Sequence, residues 1–176
     1  MMMKKVVLGL MAVGALAFTV AVAQADSDYD YAKQMKDLVK MMPNARVTLA
    51  DGIKTASAGG KVISAQYEVD EDNGFQLSTF VSKGGNAADA HEVIVDFEKN
   101  TVKSDDKLTD PDDIKDAAKQ IAAMANAKVT LDQAVAEAVK ANPGYEAIRV
   151  VPKAGGTAQV TLLKDGKTLK VEEKLN

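Results

Sequence analysis

The chain contains no cysteine and no tryptophan, and it has a single histidine, His91. Without cysteine it has neither disulfide bonds nor a thiolate nucleophile, so its stability must come from packing. One histidine cannot supply the ligand set of a zinc site. A hydrolytic triad would require His91 to meet a serine such as Ser64, Ser78 or Ser82, and no nucleophile-elbow pattern is present. We therefore expect a protein that is not an enzyme and holds no cofactor or metal.

A long apolar run occurs only at the start of the chain. Two lysines precede residues 6–23, which are apolar and uncharged, and Ala23-Gln24-Ala25 follows as a small-x-small cleavage site. This layout is typical of a secretory signal peptide, so residues 1–25 are predicted to be removed after Ala25 and the protein to be periplasmic or secreted by a bacterium. The alternative is a retained anchor, because 18 uncharged residues nearly span a bilayer. Membrane contact is expected only through that uncleaved segment.

Basic residues are too few for a nucleic-acid partner. Without the two lysines of the leader, the chain has 20 basic and 25 acidic side chains, a net charge of −5. Binding to phosphates requires a basic face, which this balance does not favour. We expect a protein or peptide partner and no nucleic acid.

One short string occurs twice, as NARVTL at residues 44–49 and NAKVTL at residues 126–131, with an offset of 82. We call these the hinge strings. In each, a threonine is placed to cap the helix that follows, and Thr130 with Gln133 forms a capping-box pattern. The helix after the second string has an apolar stripe and ends at Asn142-Pro143-Gly144. Each string is also preceded by a helical stripe, which begins at Asp110 in the second copy.

Three predicted strands follow each of these helices. In the second copy they cover 145–151, 157–164 and 167–175, and Asp165-Gly166 is a strong hairpin signal. The last strand alternates apolar and polar residues, as expected for a sheet that is covered on one face. In the first copy the strands are predicted at 61–70, 75–83 and 91–99.

The predicted fold class is α+β, a tandem repeat of two units. Each unit has two helices followed by a three-stranded antiparallel sheet, with the helices packed on one sheet face. The predicted boundaries are a signal peptide at 1–25, a first unit at 26–103, an acidic linker at 104–109 and a second unit at 110–176.

Residues 129–175, "VTLDQAVAEAVKANPGYEAIRVVPKAGGTAQVTLLKDGKTLKVEEKL", resemble a PepSY domain. The resemblance lies in the threonine-capped alanine-rich helix, the Pro-Gly exit and three strands ending in an alternating hairpin. It extends more loosely to residues 47–102, where Gly59-Gly60 replaces the exit and the last hairpin loop is longer. The tandem layout is also similar to periplasmic β-lactamase-inhibitor-like proteins. PepSY domains are small exported or membrane-tethered modules that often inhibit or regulate peptidases and have no catalytic residues, so the resemblance implies the same here.

These observations favour an exported, non-catalytic binding module, with a peptidase among its potential partners. Phe80 and Ile94 are apolar residues on the nominally polar faces of their strands, and we predict that they contact a partner. An unpaired edge of the sheet could instead accept an extended peptide. The alternative is that the helices preceding the hinge strings cover Phe80 and Ile94. A second hypothesis is a structural or assembly protein that acts as a homodimer paired through its sheets.

Two further features have competing interpretations. The acidic stretch Asp70–Asp72 has hard oxygen ligands for calcium but lacks the spacing of a calcium-binding loop, so a solvated hairpin tip is the main interpretation. The methionines near the predicted helices are expected to fill the core, and a soft-metal site or peptide groove is the alternative. They are Met35, Met41, Met42 and Met124.

Overall fold

The structure, a computed structural model, describes residues 33–69 and 74–176. The predicted signal peptide, with its processing residues Ala23 and Ala25, lies outside the described residues. So does the calcium alternative at Asp70–Asp72.

Four helices are described. Within α1, residues 33–41 are described, and the others are α2 (Leu49–Ala56), α3 (Pro111–Ala123) and α4 (Leu131–Ala141). The Asp110 carboxylate caps α3 by accepting a hydrogen bond from the Asp112 N–H at 2.8 Å. Across the described ranges, every helix is too short or too polar to pass through a bilayer.

Seven strands of the described residues form one antiparallel sheet in the order β4-β3-β2-β1-β5-β6-β7. The hairpin between β6 and β7 turns at Asp165-Gly166, where both residues have positive φ, as a two-residue hairpin of type I′ requires. The strands are β1 (Lys61–Val69), β2 (Phe75–Ser82), β3 (Ala90–Val95), β4 (Val102–Lys107), β5 (Glu146–Lys153), β6 (Thr157–Lys164) and β7 (Lys167–Lys174).

The prediction of a tandem repeat of two units, each with two helices and three antiparallel strands, is wrong. β1 pairs with β5 through Ala65 opposite Val150 and Gln66 opposite Arg149, so all seven strands belong to one sheet. We call this junction the seam. A strand edge exposes unpaired N–H and C=O groups, and the seam pairs one edge of each half against the other.

The acidic stretch predicted as a linker at 104–109 begins inside β4. This strand pairs with β3, with Asp106 opposite Glu92, so the first half of the sheet has four strands. The sequence of β4, VKSDDK, has no apolar alternation because it is an edge strand and most of its side chains are exposed.

The prediction that all helices pack on one face is also wrong. α2 lies on the face that carries Leu77, and a Cβ added at Gly52 would come within 2.2 Å of Leu77 Cδ2. α3 lies on the opposite face, where Gln120 Oε1 accepts a hydrogen bond from Ser64 Oγ at 2.8 Å. Ser64 is opposite Phe80 in β2, and the two share one face because paired residues point the same way. We call these faces the α2 face and the α3 face.

Two hydrophobic clusters follow from this arrangement. The larger one includes residues of both α2 and α4, among them Ile53 and Val135, and it spans both halves of the sheet. The smaller one lies under α3 and comprises Ile63, Phe80, Ala90, Leu108 and Ala117.

The hinge strings have equivalent positions in the two halves. The N–H groups of residues 46–47 donate to the carbonyl of Phe97 at 2.9 and 3.0 Å. The N–H groups of residues 128–129 donate to the carbonyl of Leu175 at 2.6 and 3.0 Å. Each string therefore attaches the start of a helix to the chain just beyond the end of a strand. The string occurs twice because it has the same structural role in both halves.

Candidate functional site

Phe80 and Ile94, the residues predicted to contact a partner, both lie on the α3 face. Phe80 is only 3% exposed and belongs to the cluster beneath α3, while Ile94 is half-buried beside Ser78 in the strand register. The helix preceding the second hinge string therefore covers Phe80, which was the alternative interpretation. With α3 in place, Phe80 is not accessible, and a binding role for either residue stays a prediction.

His91 does not meet the serines of the hydrolytic alternative. His91 is opposite Val81, whereas Ser78 and Ser82 alternate with Val81 and point to the other face of the sheet. The His91 ring instead lies 2.7 Å from the Asp105 carboxylate, which Lys83 also contacts at 2.7 Å. The hydrogen bond from Lys83 lowers the pKa of Asp105. His91 thus contacts a surface carboxylate that also forms a salt bridge with Lys83.

The methionines pack in the larger hydrophobic cluster. Met42 and Met124 are buried there, and Met35 and Met41 pack against it partly buried. In the described ranges, no group of three or more histidine, cysteine or acidic side chains has the geometry of a metal site. These positions match the core role expected of methionine.

A polar network lies on the α3 face next to the seam. Glu68 Oε1 accepts hydrogen bonds from Ser78 Oγ at 2.5 Å and Gln76 Nε2 at 2.8 Å. Its second oxygen, Oε2, accepts from Gln66 Nε2 at 2.5 Å. Three donors therefore contact this one carboxylate.

Glu92 is the neighbouring carboxyl group, and its surroundings are different. It is 7% exposed, and its Oε1 has no hydrogen-bond partner among the described residues. Burial first, and then the charge of Glu68, raise the pKa of Glu92 from 4.5 to about 7. A hydrogen bond from Ser78 lowers the pKa of Glu92 and offsets part of this increase.

Other carboxylates also face Glu92. Asp106 lies directly opposite on β4, and Asp113, itself buried, approaches from the first turn of α3. Both raise the pKa of Glu92 because a second negative charge nearby disfavours ionisation. A carboxyl group with a raised pKa is also found at acid–base sites, but Glu92 is 7% exposed beneath α3 and therefore not accessible to a substrate. The chemistry that this arrangement supports directly is the binding of a proton.

A second candidate site is the free edge of β7. The sheet order is symmetric about the seam, so β5, β6 and β7 correspond to β1, β2 and β3. β4 pairs with the outer edge of β3, and among the described residues no strand occupies the corresponding position beyond β7. Leu169 on β7 is 36% exposed, a high value for a large apolar residue.

The hairpin geometry identifies which groups of β7 face this free edge. In a two-residue hairpin the residues flanking the turn form a hydrogen-bonded pair, and such pairs then alternate along the strands. Lys164 and Lys167 flank the turn, so residues 167, 169, 171 and 173 pair with β6. The outward backbone groups therefore belong to Thr168, Lys170, Glu172 and Lys174.

A shallow groove of about 380 Å³ lies between α2, the start of β1 and the second hinge string. Its wall includes Ile53, Val62 and Leu131, and Lys61 at its rim donates a hydrogen bond to the carbonyl of Met124 at 2.7 Å. That bond joins the C-terminus of α3 to β1. The groove has the apolar lining and charged rim of an ordinary gap between helices.

Sequence reasoning missed Glu92, and it expected an unpaired sheet edge as a peptide site without locating that edge at β7. The signal for Glu92 was present, because Phe80 and Ile94 interrupt the polar pattern of one face and Glu92 lies beside both in the strand register. Apolar residues on a polar face indicated a covered face, and a covered carboxyl group follows from that. Compared with known proteins, the chain matches no family model, no curated protein and no solved structure.

Proposed function

We propose that the protein is an exported, non-catalytic binding module that accepts an extended segment of a protein partner as a strand beside β7. The observation that carries this proposal is the asymmetry of the sheet: β4 fills the edge of β3, and the corresponding edge of β7 is free. Addition of a strand to an exposed edge is a recurring mode of peptide recognition.

The chemistry of β7 suits selective strand addition. Its outward N–H and C=O groups supply main-chain hydrogen bonds, which give affinity without sequence preference. Selectivity comes from the side chains, because Leu169 offers an apolar contact and Lys170 and Glu172 offer opposite charges. The same charges oppose unselective aggregation at this edge.

The class of partner is proposed from the sequence. The resemblance of residues 129–175 to a PepSY domain supports a peptidase as the first partner to examine, with the protein as its inhibitor or regulator. The leader pattern at residues 1–25 supports a periplasmic or secreted location. Mass spectrometry of the exported chain checks that location, and a mature protein beginning at Asp26 is expected.

A homodimer paired through β7 is the second candidate. When β7 is placed antiparallel to a second copy of itself and centred on Val171, Lys170 lies opposite Glu172 at both symmetric positions. Residue 170 and residue 172 both have outward backbone groups, so this register also aligns their hydrogen bonds. Self-complementary charge is what an isologous interface requires.

The experiment uses Lys170→Pro and its matched control Lys170→Ala. Proline removes one outward N–H, and an edge strand tolerates it, whereas alanine removes the same side chain and keeps the N–H. Each chain is used to capture proteins from periplasmic extract, with thermal unfolding as the test of folding. We expect the wild type and Lys170→Ala to retain a common partner and Lys170→Pro to lose it.

Light scattering of the isolated protein separates the two candidates. A monomer that captures a partner supports the binding module, and a dimer that Lys170→Pro converts to a monomer supports the assembly protein. Equal capture by wild-type and proline variants, with a monomer in both, would reject β7 as the interface.

A further inference from the structure

β4 shows how this fold holds a strand at an outer edge of the sheet. Its Asp105 carboxylate lies 2.7 Å from Lys83 Nζ and 2.7 Å from the His91 ring. Just beyond the end of β4, the Leu108 N–H donates a hydrogen bond to the carbonyl of Ala90 at 2.9 Å. Main-chain hydrogen bonds and a paired carboxylate therefore act together at this edge.

The strand registers establish which residues of β7 correspond to those of β3. β1 and β5 each have one register shift, and the residue just before it lies opposite Val81 of β2 in one half and Leu162 of β6 in the other. Val81 in turn lies opposite His91, and Leu162 lies opposite Leu169. His91 therefore corresponds to Leu169, and the residues that follow them along β3 and β7 correspond in order.

The two edges have opposite charges at one pair of corresponding positions. In the first half, Asp106 of β4 lies directly opposite Glu92 of β3, so two acidic side chains face each other. The residue of β7 that corresponds to Glu92 is Lys170, and its side chain is exposed. A carboxylate in the place of Asp106 would therefore meet an acidic side chain on β3 but a lysine on β7.

The lysine that contacts Asp105 also has a counterpart. By the same registers, Lys83 just beyond β2 corresponds to Lys164 at the end of β6. Lys164 forms no salt bridge with any residue that the structure describes, and its Nζ atom lies 5.5 Å from the centre of the Tyr145 ring. A carboxylate in the place of Asp105 would therefore also have a lysine near it at the β7 edge.

The two glutamates of β7 are compatible with a further acidic strand. Glu172 and Glu173 occupy the positions that face Ser104 and Val102 in the first half. Neither glutamate would therefore lie directly opposite one of these two carboxylates.

We propose that the segment which adds beside β7 is acidic, with carboxylates at the two positions that Asp105 and Asp106 occupy in β4. An extended protein segment with two adjacent aspartates or glutamates has this chemistry. The proposal rests on strand addition at β7 and names the class of segment that this edge accepts. The chain without its leader has a net charge of −5, which attracts basic segments at long range, so a preference for an acidic one must come from these lysines.

The probe is a blocked synthetic peptide with the sequence of residues 101–108, which contains both aspartates of β4. Its control peptide has asparagine at both aspartate positions, which keeps the size of the side chains and removes their charge. Binding of each peptide to the exported protein at low salt is followed through the NMR shifts of the β7 amides.

We expect the acidic peptide to bind roughly tenfold more tightly than its control, because two cross-strand charge pairs are formed. The preference should disappear in Lys170→Glu and shrink at high salt. It should persist in Lys54→Glu, which makes the same change of charge on α2. Since each lysine supplies only part of the preference, Lys170→Ala should weaken binding without abolishing it.

The outcomes separate this proposal from strand addition itself. Equal binding of the two peptides at β7 would overturn the acidic class and leave strand addition standing. A preference that persists in Lys170→Glu, or shifts confined to residues outside β7, would also overturn it. If neither peptide binds at millimolar concentration, the acidic class is rejected, and the capture experiment with Lys170→Pro decides strand addition independently.

Discussion

The two halves of the molecule use the same parts and finish them differently. Each has a hinge string, a threonine-capped helix and an antiparallel strand order, and the strands correspond across the seam. The first half ends in β4, which covers its edge, and the second half leaves β7 free. The comparison shows that a duplicated framework need not give duplicated surfaces, since one half is closed and the other is open.

The capped helices of the two halves, α2 and α4, also differ at one buried position. Gly52 in α2 corresponds to Ala134 in α4 at the offset of 82, and both lie on the buried side of their helix. Glycine is unfavourable inside a helix, but at position 52 it lets α2 approach Leu77 closely. α4 has room for a methyl group at the matching position, Ala134, which is buried there.

Truncation of the first leucine of each capped helix should give the largest effect. Leu49 and Leu131 are each 1% exposed in the larger cluster, so Leu49→Ala and Leu131→Ala should each lower the free energy of unfolding by about 3 kcal/mol. Because this cluster spans both halves, each variant should shift one cooperative urea transition. Two separate transitions, with one unaffected by the substitution, would show that the halves unfold independently.

Glu92→Gln should change stability in a manner that depends on pH. The folded protein binds the Glu92 proton more tightly than the unfolded chain, because the pKa is about 7 in the former and near 4.5 in the latter. Stability should therefore fall as the pH rises from about 4.5 to 7, and stay low above that range.

Glu92→Gln removes this carboxyl group. The substitution should leave the free energy of unfolding nearly unchanged at pH 4 and raise it by at most about 3 kcal/mol at pH 8. Urea titrations at both pH values measure the difference. When Phe97 is aligned with Leu175, the corresponding position in β7 is the exposed Lys170, so Lys170→Gln is a matched control for which no such dependence is expected. A pH-independent effect of Glu92→Gln would contradict a raised pKa of Glu92 in the folded protein.

Gly52→Ala should destabilise the protein by about 1–2 kcal/mol, even though alanine favours the helix by about 1 kcal/mol. The reason is the 2.2 Å contact with the buried side chain of Leu77. The reciprocal variant, Ala134→Gly, should cost about 1 kcal/mol through propensity and lost packing. Thermal unfolding measures both, and a stabilising Gly52→Ala would show that α2 shifts freely on the sheet.

The helix caps should give the smallest effects. Thr48 accepts a hydrogen bond from the Asp51 N–H at 3.1 Å. Thr130 and Gln133 form a capping box, in which the Thr130 side chain faces the Gln133 N–H and the Gln133 side chain accepts a hydrogen bond from the Thr130 N–H at 3.1 Å. Thr48→Ala and Thr130→Ala should each cost about 1 kcal/mol. Thr→Ser substitutions at the same positions keep the hydroxyl and serve as controls. A loss as large in serine as in alanine would place the effect in the methyl group and not in the cap.

Local structure was largely predictable from the sequence because local signals determine it. The capped α4, the Asp110 start of α3 and the Asp165-Gly166 hairpin all occur where turn and cap chemistry indicated them. Strand bounds differ from prediction by a few residues, with β3 ending at Val95 and not at Lys99.

Long-range pairing was not predictable from the same signals. The seam joins strands about 85 residues apart through only two residue pairs, Ala65 with Val150 and Gln66 with Arg149, neither of which has a sequence signature. β4 was not predicted because the sequence of a charged edge strand is similar to that of a linker. Glu92 escaped because its burial depends on α3 lying on the second face, which no single periodicity reveals.

The seam also bears on how such a chain can arise. It pairs β1 and β5, which correspond in strand order, and it pairs them antiparallel. Two identical copies related by a twofold axis pair their equivalent strands in this same antiparallel manner. The seam therefore has the geometry of a dimer interface enclosed within one polypeptide.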